Sequence, residues 1–134
     1  MRQHLDTAPV LEKMRAGGEC PLCALKLDNE ASYADYFLGG SVMEVSTRQE
    51  VNEKGFCAKH LKMLFDRNNR LGLALLESSH LKETVKRLKA RPNPKRGLFQ
   101  KKEEAPKAGC ALCDRLEATM RRYALTVAAL WEKE

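Results

Sequence analysis

The chain has 134 residues, of which 43% are hydrophobic and 31% charged, and its formal net charge at pH 7 is +6. This length suits one folded domain, and the apolar fraction is too high for a wholly disordered chain. No apolar run reaches the roughly 18 residues of a membrane helix, and the N-terminus leads into no apolar signal region, so we expect a cytoplasmic protein without a membrane partner.

The apolar residues recur at helical spacing and predict an all-α fold, because no segment shows the period-two alternation of a strand. A short helical stretch is predicted within residues 1–18. Pro21, a residue type favoured in the first helical position, is expected to begin a second helix that stops at Gly39. Ser41 is then expected to cap a shorter helix over residues 42–53.

The second half of the chain is predicted to hold two helices around a linker. Residues 56–90 contain no proline and carry leucines near every 3.6 positions, which predicts one long helix bent at residues 68–69 or at Gly72. Three of the five prolines fall in residues 91–108. A last helix is predicted from near Cys110. The expected organisation is a helical module over residues 1–90, a basic flexible linker over residues 91–108 and a partial second module over residues 109–134.

Two residue pairs with metal-ligand spacing stand far apart in the sequence. Cys20 and Cys23 form a Cys-x-x-Cys pair and Cys57 and His60 form a Cys-x-x-His pair, giving C-x2-C-x33-C-x2-H overall. Structural zinc takes four sulfur or nitrogen ligands in a tetrahedron, and two residues three apart at a helix start can converge on one ion. We therefore predict a structural zinc site at Cys20, Cys23, Cys57 and His60 that ties the starts of two helices together.

Other chemistries for these cysteines stay open. An iron–sulfur cluster can be held by the same three cysteines and one histidine. A thiol–disulfide couple is the other alternative, because Cys-x-x-Cys at a helix start is also a redox arrangement. A further pair, Cys110 and Cys113, forms a half-site with three options: free thiols, a labile disulfide, or an all-cysteine zinc site shared across a two-fold dimer.

The two Cys-x-x-Cys pairs also suggest an internal repeat. An offset of 90 residues superposes residues 20–37 on residues 110–127 with five identities in 18 positions, and three of the five are not cysteines. At the same offset, partners for Cys57 and His60 would lie beyond the last residue. We therefore expect this chain to be the first part of a longer duplicated protein, or a natural truncation of one, with the first module and part of the second.

These motifs resemble a bacterial family of unknown function. The resemblance rests on Cys20–Cys23 opening a helix, on the Tyr-Ala-Asp-Tyr-Phe run from Tyr33 to Phe37, and on the segment from Asn52 to His60. Members of that family carry duplicated CPxC…GFCxxH modules. The resemblance covers residues 19–65 well and residues 109–131 in part. It implies metal binding at Cys20, Cys23, Cys57 and His60 and a second module led by Cys110 and Cys113. It implies no activity. This chain differs from the family pattern because it lacks the second Cys-x-x-His pair.

Positive charge is concentrated in one segment. Residues 82–107 hold ten lysines or arginines against three glutamates, a net +7. Such a segment can contact phosphates electrostatically, but it has only Phe99 as an aromatic residue and no recognised nucleic-acid motif. A solvated linker extended by self-repulsion is the favoured interpretation. The candidate phosphate contacts are Lys86, Arg87, Lys89, Arg91, Lys95 and Arg96.

The sequence thus favours a binding or scaffold protein that is not an enzyme. A zinc with four protein ligands has no open position for catalysis, and no phosphate loop or catalytic triad pattern is present. An unidentified protein partner or a homodimer is expected. The alternatives are a nucleic-acid or ribonucleoprotein binder that uses residues 82–107, and a thiol-based redox or metal sensor.

Overall fold

The computed structural model describes residues 3–18, 20–90 and 109–132. Within these ranges all regular structure is helical and no strand occurs, which confirms the all-α prediction. The predicted linker, residues 91–108, lies outside the described residues. The α-helices are α1 (Gln3–Ala16), α2 (Pro21–Leu38), α3 (Val45–Lys54), α4 (Ala58–Phe65), α5 (Arg70–Ala90) and α6 (Ala111–Trp131), with a 3-10 helix over Gly40–Met43. None of the described helices is long and apolar enough to cross a membrane.

The chain divides into two compact units. The terminal unit comprises Met1–Asp35 and Leu112–Glu134, and the central unit comprises Tyr36–Ala111. The core of the terminal unit contains Val10 of α1, Leu25 of α2 and Tyr123 of α6, all buried. These three helices bury apolar residues at helical spacing against one another, which contributes about 1.5–3 kcal/mol for each fully buried large side chain.

Polar contacts also join the helices of the terminal unit. The hydroxyl groups of Tyr33 and Thr119 lie 2.6 Å apart, and Thr119 is 2% exposed. Lys13 of α1 forms an ion pair with Asp28 of α2 at 2.6 Å. The part-buried hydroxyl pair matters more for stability than the exposed ion pair, because water screens the ion pair.

The core of the central unit forms where α3 and α4 pack on α5. Its fully buried side chains include Phe37, Val51, Leu64 and Leu76. The ring of Phe37 also meets the ring of Phe56 edge to face, with centroids 5.2 Å apart. Phe56 stands next to Cys57, so this aromatic contact holds the segment that leads into α4.

The single long helix expected over residues 56–90 is wrong, because the chain forms two helices, α4 and α5, and the break between them lies next to the bend expected at residues 68–69. Asn69 caps α5: its side-chain oxygen accepts the backbone N–H of Gly72 at 2.9 Å. Its side-chain amide also donates to the Leu38 carbonyl at the end of α2. Asparagine is a preferred N-cap residue, so a new helix, α5, begins after Asn69 and α4 does not continue through it.

The start of α3 also differs from the expectation. Ser41 lies in the 3-10 helix and its hydroxyl donates to the Tyr36 carbonyl, while Glu44 occupies the N-cap position of α3. The chain therefore makes an extra turn before the helix begins. Gly55 follows the last residue of α3 with φ of 64° and ψ of −159°.

Replacing Glu77 of α5 with glutamine should stabilise the protein near pH 7. One carboxylate oxygen of this half-buried residue has no hydrogen-bond partner, and burial raises the pKa above its ordinary value of 4.5, although the nearby His80 opposes the shift. A carboxyl whose pKa is higher in the folded state loses stability as pH rises above the unfolded value.

The stability difference between Glu77→Gln and the parent should therefore be near zero at pH 4 and favour the variant at pH 7. We expect at most about 1 kcal/mol, because water screens the partly exposed carboxylate. Urea denaturation of both proteins at each pH measures it. Glu53→Gln, on the exposed surface of α3, is the control and should leave stability unchanged at both pH values.

Candidate metal centre

The first half of the candidate site is the start of α4. Cys57 is the N-cap residue of this helix, and its carbonyl accepts the Leu61 N–H at 2.8 Å. His60 stands in the first turn and is 2% exposed. The three-residue spacing puts both side chains at the same helix end, with His60 Nδ1 3.3 Å from Cys57 Sγ. The pair therefore converges on one point, as its spacing predicts.

The second half is the start of α6. Cys110 immediately precedes this helix and is 4% exposed, and Cys113 lies in its first turn. His60 Nδ1 is 3.4 Å from Cys110 Sγ, so the imidazole nitrogen faces sulfur atoms on two sides. Both Cys-containing pairs are thus presented by the N-terminal ends of helices.

Together these residues form a compact donor cluster. The ligand atoms of Cys57, His60, Cys110 and Cys113 all lie within 4.8 Å of one another. In a tetrahedral zinc site, bond lengths of about 2.3 Å to sulfur and about 2.0 Å to nitrogen place neighbouring donors roughly 3.5–3.8 Å apart. The observed spacing is compatible with one metal ion held by three sulfurs and one nitrogen.

This donor set differs from the set predicted by the sequence. Cys57 and His60 are in the cluster as expected, but their partners are Cys110 and Cys113 rather than Cys20 and Cys23. Cys20 and Cys23 stand exposed at the start of α2, outside the cluster. The residues expected to form a half-site, Cys110 and Cys113, thus lie in the same cluster as Cys57 and His60.

Gly55 positions the two halves, a role that sequence inspection missed. Its carbonyl accepts the backbone N–H of Ala111 at 2.9 Å, which ties the start of α6 to the segment before Cys57. Its positive φ turns the chain sharply out of α3. An added Cβ would lie 2.8 Å from His80 Nε2. The sequence indicated part of this role, since Gly55 follows a predicted helix and stands two residues before Cys57.

Three of the six candidate phosphate contacts lie on α5. Lys86 pairs with Glu83 at 2.6 Å. Arg87 donates to the Asn52 carbonyl at 2.8 Å, so it links α5 to α3. Lys89 stands exposed in the last turn of α5. The other three, Arg91, Lys95 and Arg96, lie outside the described residues, and phosphate binding stays a prediction.

A family model described as a family of unknown function (DUF6062) matches residues 1–134. The chain belongs to this family. No curated protein and no solved structure matches the chain at a significant level. Membership in DUF6062 confirms the expected relationship to a family of unknown function and assigns no activity, so the function has to be argued from the cluster at Cys57, His60, Cys110 and Cys113.

Proposed function

We propose that this protein is a zinc-stabilised helical protein without catalytic activity, whose zinc is bound by Cys57, His60, Cys110 and Cys113. The observation that supports the proposal best is the convergence of four ligand atoms within 4.8 Å at two helix starts. Three thiolates and one imidazole are a common donor set for structural zinc. The metal's role is to hold the start of α4 next to the start of α6.

The spacing of the donors favours a single ion over an iron–sulfur cluster. In an iron–sulfur cluster the protein ligands are distributed over several iron atoms, so their donor atoms are spread around a polynuclear core. Here His60 Nδ1 lies 3.3 Å and 3.4 Å from two sulfur atoms, which leaves room for one ion at the centre. Zinc is the usual occupant of such mixed sulfur and nitrogen tetrahedra in helical sites.

Closure of the site argues for a structural role. Four protein ligands fill the tetrahedron and leave no position for a substrate or a water molecule. His60 and Cys110 are buried, which keeps solvent away from half of the donor set. A scaffold or binding role would then be exerted by helical surfaces that the metal fixes in place.

Metal analysis of single-ligand variants tests the proposal. Native mass spectrometry with elemental analysis, on protein purified without added metal, should find one zinc per chain. Cys110→Ser and Cys113→Ser should each lose zinc, because three-ligand sites bind far more weakly and thiolates contribute most of the affinity.

Cys20→Ser and Cys23→Ser are the matched controls and should retain one zinc per chain. The opposite pattern, with zinc lost from these two variants and kept in Cys110→Ser and Cys113→Ser, would restore the site predicted from the sequence. Iron with inorganic sulfide, or protein without stoichiometric metal, would overturn the proposal.

A further inference from the structure

The dithiol pair at the start of α2 is defined by Cys20 and Cys23 and lies outside the proposed metal centre. Both cysteines are exposed, whereas Cys110 in the metal centre is buried. Cys20 precedes the helix, and its carbonyl accepts the Ala24 N–H at 3.0 Å. The two thiols are therefore presented to solvent by one helical turn.

The sulfur of Cys20 is surrounded by hydrogen-bond donors. The backbone N–H of Cys23 is the strongest of them, followed by the Cys23 thiol and the backbone N–H of Leu22. Donors directed at a sulfur stabilise its thiolate form, and the pKa of Cys20 is accordingly lowered. Cys20 thus has the environment of an attacking thiolate, and Cys23 is in direct contact with it.

The spacing also permits a bond between the two sulfur atoms. Helix geometry places Cα atoms three residues apart at about 5 Å. Disulfides form across Cα separations of about 4.4–6.8 Å. A Cys20–Cys23 disulfide therefore needs rotation of two exposed side chains and no large backbone movement.

We infer that Cys20 and Cys23 form a thiol–disulfide exchange site for low-molecular-weight disulfides. The Cys20 thiolate attacks one sulfur of the small disulfide, a mixed disulfide forms, and the other half leaves as a thiolate that takes a proton. Cys23 then loses its proton and attacks the Cys20 sulfur, which expels the second small thiol. Two protein thiols are oxidised to one disulfide while the small disulfide is reduced to two thiols.

The roles of the two residues differ, and this difference makes the inference testable. Cys20 is the attacking residue and Cys23 the resolving residue. A protein that lacks Cys23 should stop at the mixed disulfide, whereas a protein that lacks Cys20 should react slowly. The inference does not depend on the metal centre, because none of the four proposed zinc ligands takes part in the exchange.

Reaction of the metal-loaded protein with oxidised glutathione at neutral pH tests the site, with acid quenching and intact-mass and peptide analysis. The parent should lose two hydrogens in mass, mapped to a Cys20–Cys23 disulfide, and should keep its metal. Cys23→Ser should accumulate one glutathione on Cys20. Cys20→Ser should form its adduct on Cys23 about tenfold more slowly, because an unassisted thiol has a small thiolate fraction at neutral pH.

Several outcomes would overturn the inference. Equal adduct rates in the two variants would remove the distinction between attacking and resolving thiols, and a parent that stays reduced would remove the exchange itself. Additional zinc that is lost on Cys20→Ser substitution and that blocks oxidation would identify the pair as a metal half-site instead. Helical circular dichroism and metal content, measured in parallel, show whether a variant has unfolded, and loss of metal from an unoxidised parent counts against the metal proposal alone.

Discussion

Removal of the metal should abolish the cooperative unfolding transition of the central unit. Without the ion, three sulfur atoms and one imidazole crowd within 4.8 Å at the starts of α4 and α6. Because metal binding and folding are coupled at such sites, loss of the ion removes the bonds that join the two helix starts. Structural zinc supplies about 10–16 kcal/mol in small peptides, which is comparable with the whole stability of a domain, about 5–15 kcal/mol.

Thermal denaturation followed by far-ultraviolet circular dichroism measures this effect. The zinc-loaded protein should melt in one sharp transition, and a strong chelator should convert it into a broad transition with less helix at the start. Zinc added back should restore the sharp transition. Cys57→Ser should resemble the chelated protein and should gain nothing from zinc, because it removes a ligand, whereas serine is itself a preferred N-cap residue and keeps the start of α4.

The double variant Cys20→Ser, Cys23→Ser is the control for thiol effects unrelated to the centre. It should melt like the parent and respond to the chelator in the same way. If chelated and zinc-loaded proteins melt alike, the cluster holds no structural metal. If the melting of the control variant no longer depends on zinc, the exposed pair at the start of α2 contributes to the site.

Much of the fold follows from local patterns that the sequence displays. Pro21 begins α2 as expected, Gly55 ends α3, and α6 starts directly after Cys110. Each of these boundaries depends on the conformational preferences of one residue and its neighbours. The sequence predicted a bend at residues 68–69 but not a full break, because the leucine spacing continues through Asn69 and the capping by this one asparagine decides the outcome.

The sequence shows the Cys- and His-containing pairs, but not which of them lie close together. Cys20–Cys23 and Cys110–Cys113 have the same spacing and the same place at a helix start. Local chemistry gives no ground for preferring either as the partner of Cys57 and His60. The choice depends on tertiary contacts such as the hydrogen bond from the Ala111 N–H to the Gly55 carbonyl, which no local pattern encodes.

Gly55→Ala should be the most damaging substitution outside the ligands themselves. The φ of 64° and ψ of −159° fall in a region that is essentially restricted to glycine and that costs other residues about 1–3 kcal/mol. The added Cβ would also approach His80 Nε2 to 2.8 Å. His80 cannot move freely, because its Nδ1 lies 3.1 Å from the Asn52 carbonyl.

The damage should extend to metal binding because Gly55 joins the two halves of the centre. Its carbonyl holds Ala111, the residue after Cys110, so a distorted turn displaces a ligand pair. Since folding and zinc binding are linked, a loss of about 1.4 kcal/mol appears as about tenfold weaker zinc binding. Urea denaturation of the loaded protein and competition with a chromophoric chelator measure the two effects.

Gly40→Ala is the matched control for Gly55→Ala. Gly40 has no atoms within 4 Å of an added Cβ and no positive φ, so the substitution should change stability by no more than about 1 kcal/mol, in the stabilising direction. Zinc affinity should stay at the parent value. If Gly55→Ala behaved like Gly40→Ala in both assays, the turn before Cys57 would not be what aligns α4 with α6. The metal itself would then have to bring the ligand atoms together, and the surrounding protein would adjust to the bound ion.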